Sequence, residues 1–318
     1  MKKNHWISLI IILTLTIPLV AQNEIEEKGI NYIPLVKYDF LSLDAQNIHS
    51  PGCGLVIMSK NTMFVGLYTQ HKFEKSLRLD YPATYHSIDI LFDASKGRHQ
   101  YLGIFKSESD QPVYGGLHTF QASAAYGYEL IQKKNLSLVL GGGIAVSDFG
   151  IEVSDGKPLP VIPVPLIRAK YESQFIKTKF EFLTGPNFDL TIGPQSQFRW
   201  VNECRLDQFR DSRDLIFEST LNYRFFPIDH QMGDFAGIAV GIKNDNYGAF
   251  DLGEHNKNYP EDEETFETHY NSVFGVLDLT LLKITGGYAF NGRELYREED
   301  TEDTGEGYFL SIEGMYQF

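Results

Sequence analysis

The last eleven residues, Tyr308-Phe-Leu-Ser-Ile-Glu-Gly-Met-Tyr-Gln-Phe318, decide the fold. The even-numbered positions of this stretch are apolar or aromatic except for Gly314, whereas Ser311, Glu313 and Gln317 make the odd-numbered positions mostly polar. Successive side chains of a β-strand point to opposite faces, so this alternation predicts a strand with one face in lipid and the other in water.

The first residues predict export through a Sec-type signal peptide. Lys2 and Lys3 precede an apolar run over residues 6–20, which ends at Ala21 before polar residues. About fifteen apolar residues are too few for a spanning helix, which needs about 20. We therefore expect cleavage after Ala21, with residues 1–21 as signal peptide. A retained N-terminal anchor helix is the alternative.

After Ala21 the sequence has no apolar run long enough for a transmembrane helix, so any membrane residence requires strands closed into a barrel. Phe318, with Tyr316 two residues before it, resembles the closing-strand signal of outer-membrane barrels. We expect residues 22–318 to form one such domain in the outer membrane of a Gram-negative bacterium. Its expected partners are outer-membrane lipid, lipopolysaccharide and the barrel-assembly machinery. A half-buried edge strand of a soluble sandwich is the alternative.

Period-two segments predict an all-β, antiparallel transmembrane β-barrel of about 12 strands, with 10 to 14 possible. The candidate strands are residues 30–40, 61–70, 84–93, 99–106, 120–130, 136–146, 161–172, 175–184, 188–201, 215–225, 235–248, 267–280, 281–291 and 308–318. Counting back from Phe318 places the acidic segments 249–266 and 292–306 outside the cell, as expected for long loops. The same count places the short Ser173-Gln174 turn outside and residues 148–160 inside, which indicates a wrongly split or merged strand.

Composition agrees with a barrel and excludes nucleic acid as a partner. The mean hydropathy of −0.23 looks soluble, but lipid-facing and lumen-facing residues cancel in a barrel strand. Residues 1–21 contain two of the 28 basic residues and none of the 42 acidic ones, so the mature net charge is −16. The acidic runs 261–264 and 298–306 predict solvated loops, and calcium bridges to lipopolysaccharide are the alternative. They lack EF-hand spacing, so we predict no metal and no cofactor.

Two cysteines, Cys53 and Cys204, follow the predicted signal peptide. In an oxidising periplasm they either form one disulfide or remain two thiols on distant strands.

Residues 158–194 resemble the middle of the MltA-interacting (MipA/OmpV) barrels. The resemblance is carried by Pro158-Leu-Pro-Val-Ile-Pro-Val-Pro-Leu-Ile-Arg-Ala-Lys-Tyr-Glu172, Phe175, Leu183-Thr-Gly-Pro-Asn187 and Leu190-Thr-Ile-Gly-Pro194. It implies an outer-membrane barrel that holds a periplasmic murein-associated protein and has no catalytic residues. An uncharacterised barrel family of the same architecture is the alternative.

The residues show no catalytic constellation. His49-Ser50 and His86-Ser87 are sequence neighbours, so in a regular strand the members of each pair point to opposite faces. The polar faces of the candidate strands predict a charged lumen, lined by Glu218, Asn222, Arg224, Lys177, Lys179 and Glu181. Such charges either form a satisfied plug or select solutes. We predict a non-enzymatic barrel with a structural or scaffolding role. A passive channel for ions or small polar solutes is the alternative, and a barrel lipid hydrolase is the minor one.

Overall fold

The computed structural model describes residues 29–75, 84–112, 118–153, 157–183, 185–206, 215–226, 236–251, 265–279, 281–295 and 301–315. In this part of the chain sixteen antiparallel strands pair in sequence order, and β1 closes the barrel by pairing with β16. The predicted signal peptide, residues 1–21, and the predicted assembly signal, Tyr316 and Phe318, lie outside the described residues.

The strands are β1 (Ile30–Leu43), β2 (Asn47–Ser59), β3 (Thr62–Lys75), β4 (Thr84–Lys96), β5 (His99–Ser109), β6 (His118–Lys133), β7 (Leu136–Val153), β8 (Lys157–Glu172), β9 (Ile176–Phe182), β10 (Pro186–Ile192), β11 (Phe198–Leu206), β12 (Leu215–Arg224), β13 (Ala236–Asp251), β14 (Thr265–Leu279), β15 (Leu282–Leu295) and β16 (Thr301–Met315). Within the described residues no helix has the length and hydrophobicity that crossing a membrane requires.

Alternation along each strand separates an apolar outer face from an inner face that carries the buried and charged side chains. On β6 the exposed Tyr126, Tyr128 and Leu130 alternate with the buried Ala125 and Glu129. Other exposed aromatic side chains on the outer face are Tyr32, Tyr38, Phe92, Tyr101, Tyr171, Trp200, Tyr288 and Tyr308. An apolar, aromatic-rich exterior is the surface that a closed barrel presents to lipid.

The prediction of about 12 strands was wrong, because two features of the sequence hide strands. The segment before Lys60 contains Pro51, Gly52 and Gly54, which are typical of turns, yet it forms β2. Residues 188–201, predicted as one strand, contain the Gly193-Pro194 turn and belong to β10 and β11. Gly193 has φ of 70°, which favours glycine at such a turn.

Separating β10 from β11 also corrects the predicted sides of two connections. We call the end of the barrel where β1 begins and β16 ends the terminal end. Residues 173–175 connect β8 to β9 at the terminal end, whereas β7 ends and β8 begins at the opposite end. β13 and β15 end, and β14 and β16 begin, at the opposite end. The predicted loop over residues 292–306 was too long, because residues 292–295 belong to β15 and Glu302, Asp303 and Glu306 belong to β16.

The proline-rich segment is part of β8, where, among the described strands, only β7 pairs with it. β7 pairs with β8 along most of its length, whereas β9 pairs with it only over residues 167–172. Pro158, Pro160, Pro163 and Pro165 all lie outside that shared range. Proline cannot donate a backbone hydrogen bond, so it suits a strand edge without a partner.

The barrel is flattened rather than circular. A circular wall of sixteen strands about 4.8 Å apart and tilted about 40° would be roughly 30 Å across. Instead, Cα atoms of β6 and β13 come within 8 Å of each other, although six strands lie between them in the wall. Much of the inner face is therefore packed against other inner-face residues.

Cys53 and Cys204 are both free. They lie on β2 and β11, which are seven strands apart by the shorter path around the barrel. Their partners in the register are Val36 and Phe188, respectively, so each occupies an ordinary ladder position.

Candidate functional site: the charged inner wall from β8 to β13

The residues predicted to face the lumen lie on one side of the barrel. Glu218, Asn222 and Arg224 on β12 line an internal cavity. On β9, Glu181 lies 2.5 Å from the guanidinium of the buried Arg168, and Lys179 and Lys177 follow at the same strand parity. The structure thus brings the β12 residues together around one cavity and places the β9 residues on the adjacent wall.

A row of charged residues crosses this wall perpendicular to the strands. Each residue of the row is the Cα partner of the next: Lys170, Lys179, Asp189, Glu203, Glu218 and Lys243. We call Asp189, Glu203 and Glu218 the acidic row. Like charges directly opposite each other on neighbouring strands are destabilising.

Asp189 and Glu203 were absent from the predicted lumen residues. Residues 188–201 were assigned to a single strand, so the pairing that brings these two carboxylates together could not be inferred. The Gly193-Pro194 turn was the available signal, because glycine followed by proline marks a turn.

A cavity of about 310 Å³ lies between the acidic row and the terminal end. Glu203 and Glu218 line it, as do the basic residues Arg199, Arg224 and Lys283. β13 contributes Ala236, Gly237, Ile238 and Ala239 to the lining, and three of these four residues are small, which leaves room for the cavity. Gly237 is the register partner of Arg224 and of Asp278, so no side chain fills the space between the two.

Other charges on the inner wall neutralise one another. Arg168 lies 2.9 Å from Asp93 and 2.5 Å from Glu181, and Lys37 lies 2.9 Å from Asp39. The carboxylates of Glu203 and Glu218 are not neutralised in this way. Within the described part of the chain, neither carboxylate has a basic side-chain nitrogen within 4.0 Å.

Apolar clusters fill much of the remaining interior. One cluster consists of Leu41, Leu43, Ile48, Phe73, Tyr85, Tyr270, Phe274, Ala289 and Phe309 from β1–β4 and β14–β16. A second consists of Leu102, Ala125, Ala145, Val164, Leu166 and Leu183, on the strongly curved side of the flattened barrel formed by β5–β9, which we call the narrow edge.

A polar contact closes the interior at the opposite end. There the buried Gln46, in the β1–β2 turn, hydrogen-bonds to the buried Glu294 and Thr268. In contrast, the charged side chains of Lys177, Glu203 and Arg205 are exposed, so water reaches the inner wall on β9 and β11.

One serine–histidine pair was missed by sequence analysis because its members lie on different strands. The Ser50 hydroxyl is 2.8 Å from Nδ1 of His71. Ser50 is completely buried, so no substrate reaches its hydroxyl. His49 and His86 instead pair with Tyr38 and Tyr68. Among the described residues, no three His, Cys, Asp or Glu side chains are grouped to hold a metal ion.

Comparison with known proteins finds solved barrels only. No family model and no curated protein matches the chain, so the resemblance to the MltA-interacting barrels is not supported. CdiB from Acinetobacter baumannii is 9% identical with a TM-score of 0.49, and 91% of this chain spans 60% of that protein. An outer membrane channel from Pseudomonas putida F1 is 9% identical with a TM-score of 0.34, and the match covers 91% of this chain and 95% of that protein. OccK8 (OprE) from Pseudomonas aeruginosa is 10% identical with a TM-score of 0.34, and the match covers 91% of this chain and 98% of that protein. At these identities and TM-scores the likeness adds nothing to what the strand pairing shows, which is a closed antiparallel β-barrel.

Proposed function

We propose that this protein is a narrow outer-membrane channel for small polar or charged solutes. The observation that carries the proposal is the inner wall from β8 to β13, where two carboxylates without a close cationic partner border a cavity. A plug that only stabilised the barrel would pair these charges, because an unpaired charge away from bulk water is costly. Rings of fixed charge on a wet wall are how channels select ions and small solutes.

The connections suggest how the barrel is oriented. Bacterial barrels have short periplasmic turns and longer extracellular loops. The turns at residues 60–61, 97–98 and 134–135 lie at the terminal end, which we therefore place in the periplasm. The cavity, which lies on the terminal side of the acidic row, would then open toward the periplasm.

Single-channel conductance of the refolded mature protein in a planar bilayer tests the proposal. We expect discrete steps and, in a salt gradient, a reversal potential that reports cation preference. Glu203→Gln removes one carboxylate of the acidic row and should shift this potential toward anion preference. Glu172→Gln is the matched control, because Glu172 is an exposed glutamate on β8, three strands from Glu203 in the wall, and does not line the cavity. A conducting protein whose selectivity is the same in all three forms would contradict the assignment of the pore wall.

A structural barrel without a pore is the second candidate, and the buried apolar clusters favour it. Residues such as Leu41, Ile48 and Leu166 are completely buried although they belong to the inner face. A scaffold for a periplasmic murein-associated protein would belong to this candidate. A correctly inserted barrel that carries no current would support it against the channel.

A further inference from the structure

We infer that the cavity binds a short zwitterion, such as a peptide of two or three residues with free termini, and this inference rests on the proposed channel function. The two levels of the cavity differ in charge. Glu203 and Glu218 are directly opposite each other at one level. Arg199 and Arg224 lie nearer the terminal end, where Lys283 and Asp278, which are register partners of each other, also line the cavity and leave that level with an excess of positive charge. A bound solute therefore meets carboxylates at one end and guanidinium groups at the other.

The spacing of these charges sets the length of the ligand. Arg199 and Glu203 are four residues apart on β11, which places their Cα atoms about 13 Å apart along the strand. Both side chains are long, so the distance between their charged groups can be several ångströms shorter. An extended peptide of two or three residues spans about 7–10 Å. Its ammonium group can thus approach the acidic row while its carboxylate approaches the arginines.

The chemistry of each end fits this orientation. Arginine presents a planar fork of donors that matches a carboxylate in two parallel hydrogen bonds. The ammonium group of the ligand would lie between Glu203 and Glu218 and relieve the repulsion between two carboxylates that face each other. Asn222 on β12 is directly opposite Arg199 and lines the same cavity, so its amide can bond to a polar group at that end of the ligand.

Neighbouring residues determine how large the ligand can be. The small residues of β13, Gly237 and Ala239, leave one wall of the cavity without side-chain bulk. Val201 and Val276 add apolar surface next to the charged groups. A peptide with small side chains, such as trialanine, suits this combination of space and polarity.

Isothermal titration calorimetry of the refolded, full-length mature protein in detergent tests the inference with four peptides. They are trialanine with free termini, its N-acetylated form, its C-amidated form, and the doubly blocked neutral form. We expect the free peptide to bind more tightly than either singly blocked form, and the neutral form to bind most weakly. Equal affinity for the free and the neutral peptide would overturn the inference.

Two variants separate the two ends of the site. Glu203→Gln should weaken binding of the C-amidated, cationic peptide about tenfold and leave the N-acetylated, anionic peptide nearly unaffected. Arg199→Gln should have the reverse effect. Arg205→Gln is the control for the arginine variant, because Arg205 is on the same strand but does not line the cavity. If both variants weakened all four peptides equally, the charge-specific orientation would be wrong.

Binding and conductance can fail independently. A barrel that conducts but gives no heat with free trialanine at about 10 mM would overturn the inference and leave the channel intact. A barrel that binds trialanine but carries no current would overturn the channel and leave the site. Heat-modifiable migration on a denaturing gel identifies variants that have not folded, and for these Glu218→Gln or Arg224→Gln, which removes the other charge of the same sign in the cavity, provides the comparison.

Discussion

Arg168 on β8 lies 2.9 Å from the carboxylate of Asp93 on β4, although three strands separate the two in the barrel wall. The same guanidinium also bonds to Glu181 at 2.5 Å and to Gln100 at 3.2 Å. Only a strongly curved wall lets β4 and β8 approach so closely. This contact therefore holds the narrow edge of the flattened barrel.

Arg168→Ala should destabilise the barrel by about 3 kcal/mol or more, because it leaves Asp93 and Glu181 without their shared cation. Urea unfolding of the refolded protein in lipid vesicles, followed by fluorescence, measures the change. Lys170→Ala is the control: Lys170 is exposed on the same strand and should change the free energy of unfolding by less than about 0.5 kcal/mol. Equal effects of the two variants would contradict a special role for Arg168.

The three consecutive glycines of β7 should differ sharply in their tolerance of a methyl group. A Cβ on Gly141 would lie 2.0 Å from the carbonyl oxygen of Tyr126, and one on Gly143 would lie 2.1 Å from that of Ala124. A Cβ on Gly142 would be 3.6 Å from its nearest neighbour. Overpacking costs about 1–3 kcal/mol, so Gly141→Ala and Gly143→Ala should lower stability while Gly142→Ala should not. Unfolding in urea separates the three, and a uniform loss would disagree with the structure.

An engineered disulfide distinguishes two paired strands, β10 and β11, from the single continuous strand predicted over residues 188–201. Leu190 and Asn202 are Cα partners. In a background in which both natural cysteines are replaced by alanine, Leu190→Cys with Asn202→Cys should form a cross-link under mild oxidation, detected by gel mobility. Leu190→Cys with Leu221→Cys is the control, because Leu221 is on β12, two strands from β10 and about 10 Å away. Cross-linking of the control pair alone would refute the register.

Cys53 and Cys204 should remain free thiols in the folded, oxidised protein. They are on β2 and β11, seven strands apart, whereas a disulfide needs Cα atoms within about 7 Å. Maleimide labelling after denaturation, followed by mass spectrometry, should find two labelled cysteines per chain with or without prior reduction. A chain that takes up label only after reduction would contradict this.

The alternation of apolar and polar side chains was enough to predict an antiparallel barrel and the strands over residues 120–130 and 136–146, which belong to β6 and β7. Turns between long strands, such as Lys134-Asn135, are flanked by clear period-two segments on both sides. The missed strands lack that clarity. β2 contains Pro51 and two glycines because its neighbours supply the packing and the hydrogen bonds, and such tertiary contacts are not visible in a local pattern.

Strand parity alone was enough to choose candidate lumen-facing residues, but it could not show which of them lie together in one site. Glu218, Asn222 and Arg224 were singled out because they alternate with Leu221 and Tyr223 on one strand. Which residues of other strands stand opposite them depends on the register, and this requires the correct strand count. The pairing of Asp189 with Glu203, and of Glu203 with Glu218, follows only once β10 and β11 are separate strands. The contacts that flatten the barrel join strands far apart in sequence and leave no local signal.

The two shortest strands, β9 and β10, have seven residues each, whereas β7 has 18. Seven residues extend about 23 Å along the strand, or roughly 18 Å of height at a tilt of about 40°, which is less than the bilayer hydrocarbon thickness of about 30 Å. In an outer membrane, lipid next to this side would have to compress to match the short wall, at a cost of a fraction of a kcal/mol for each ångström of mismatch. The barrel would therefore gather thin or disordered lipid on one side, directly behind Asp189.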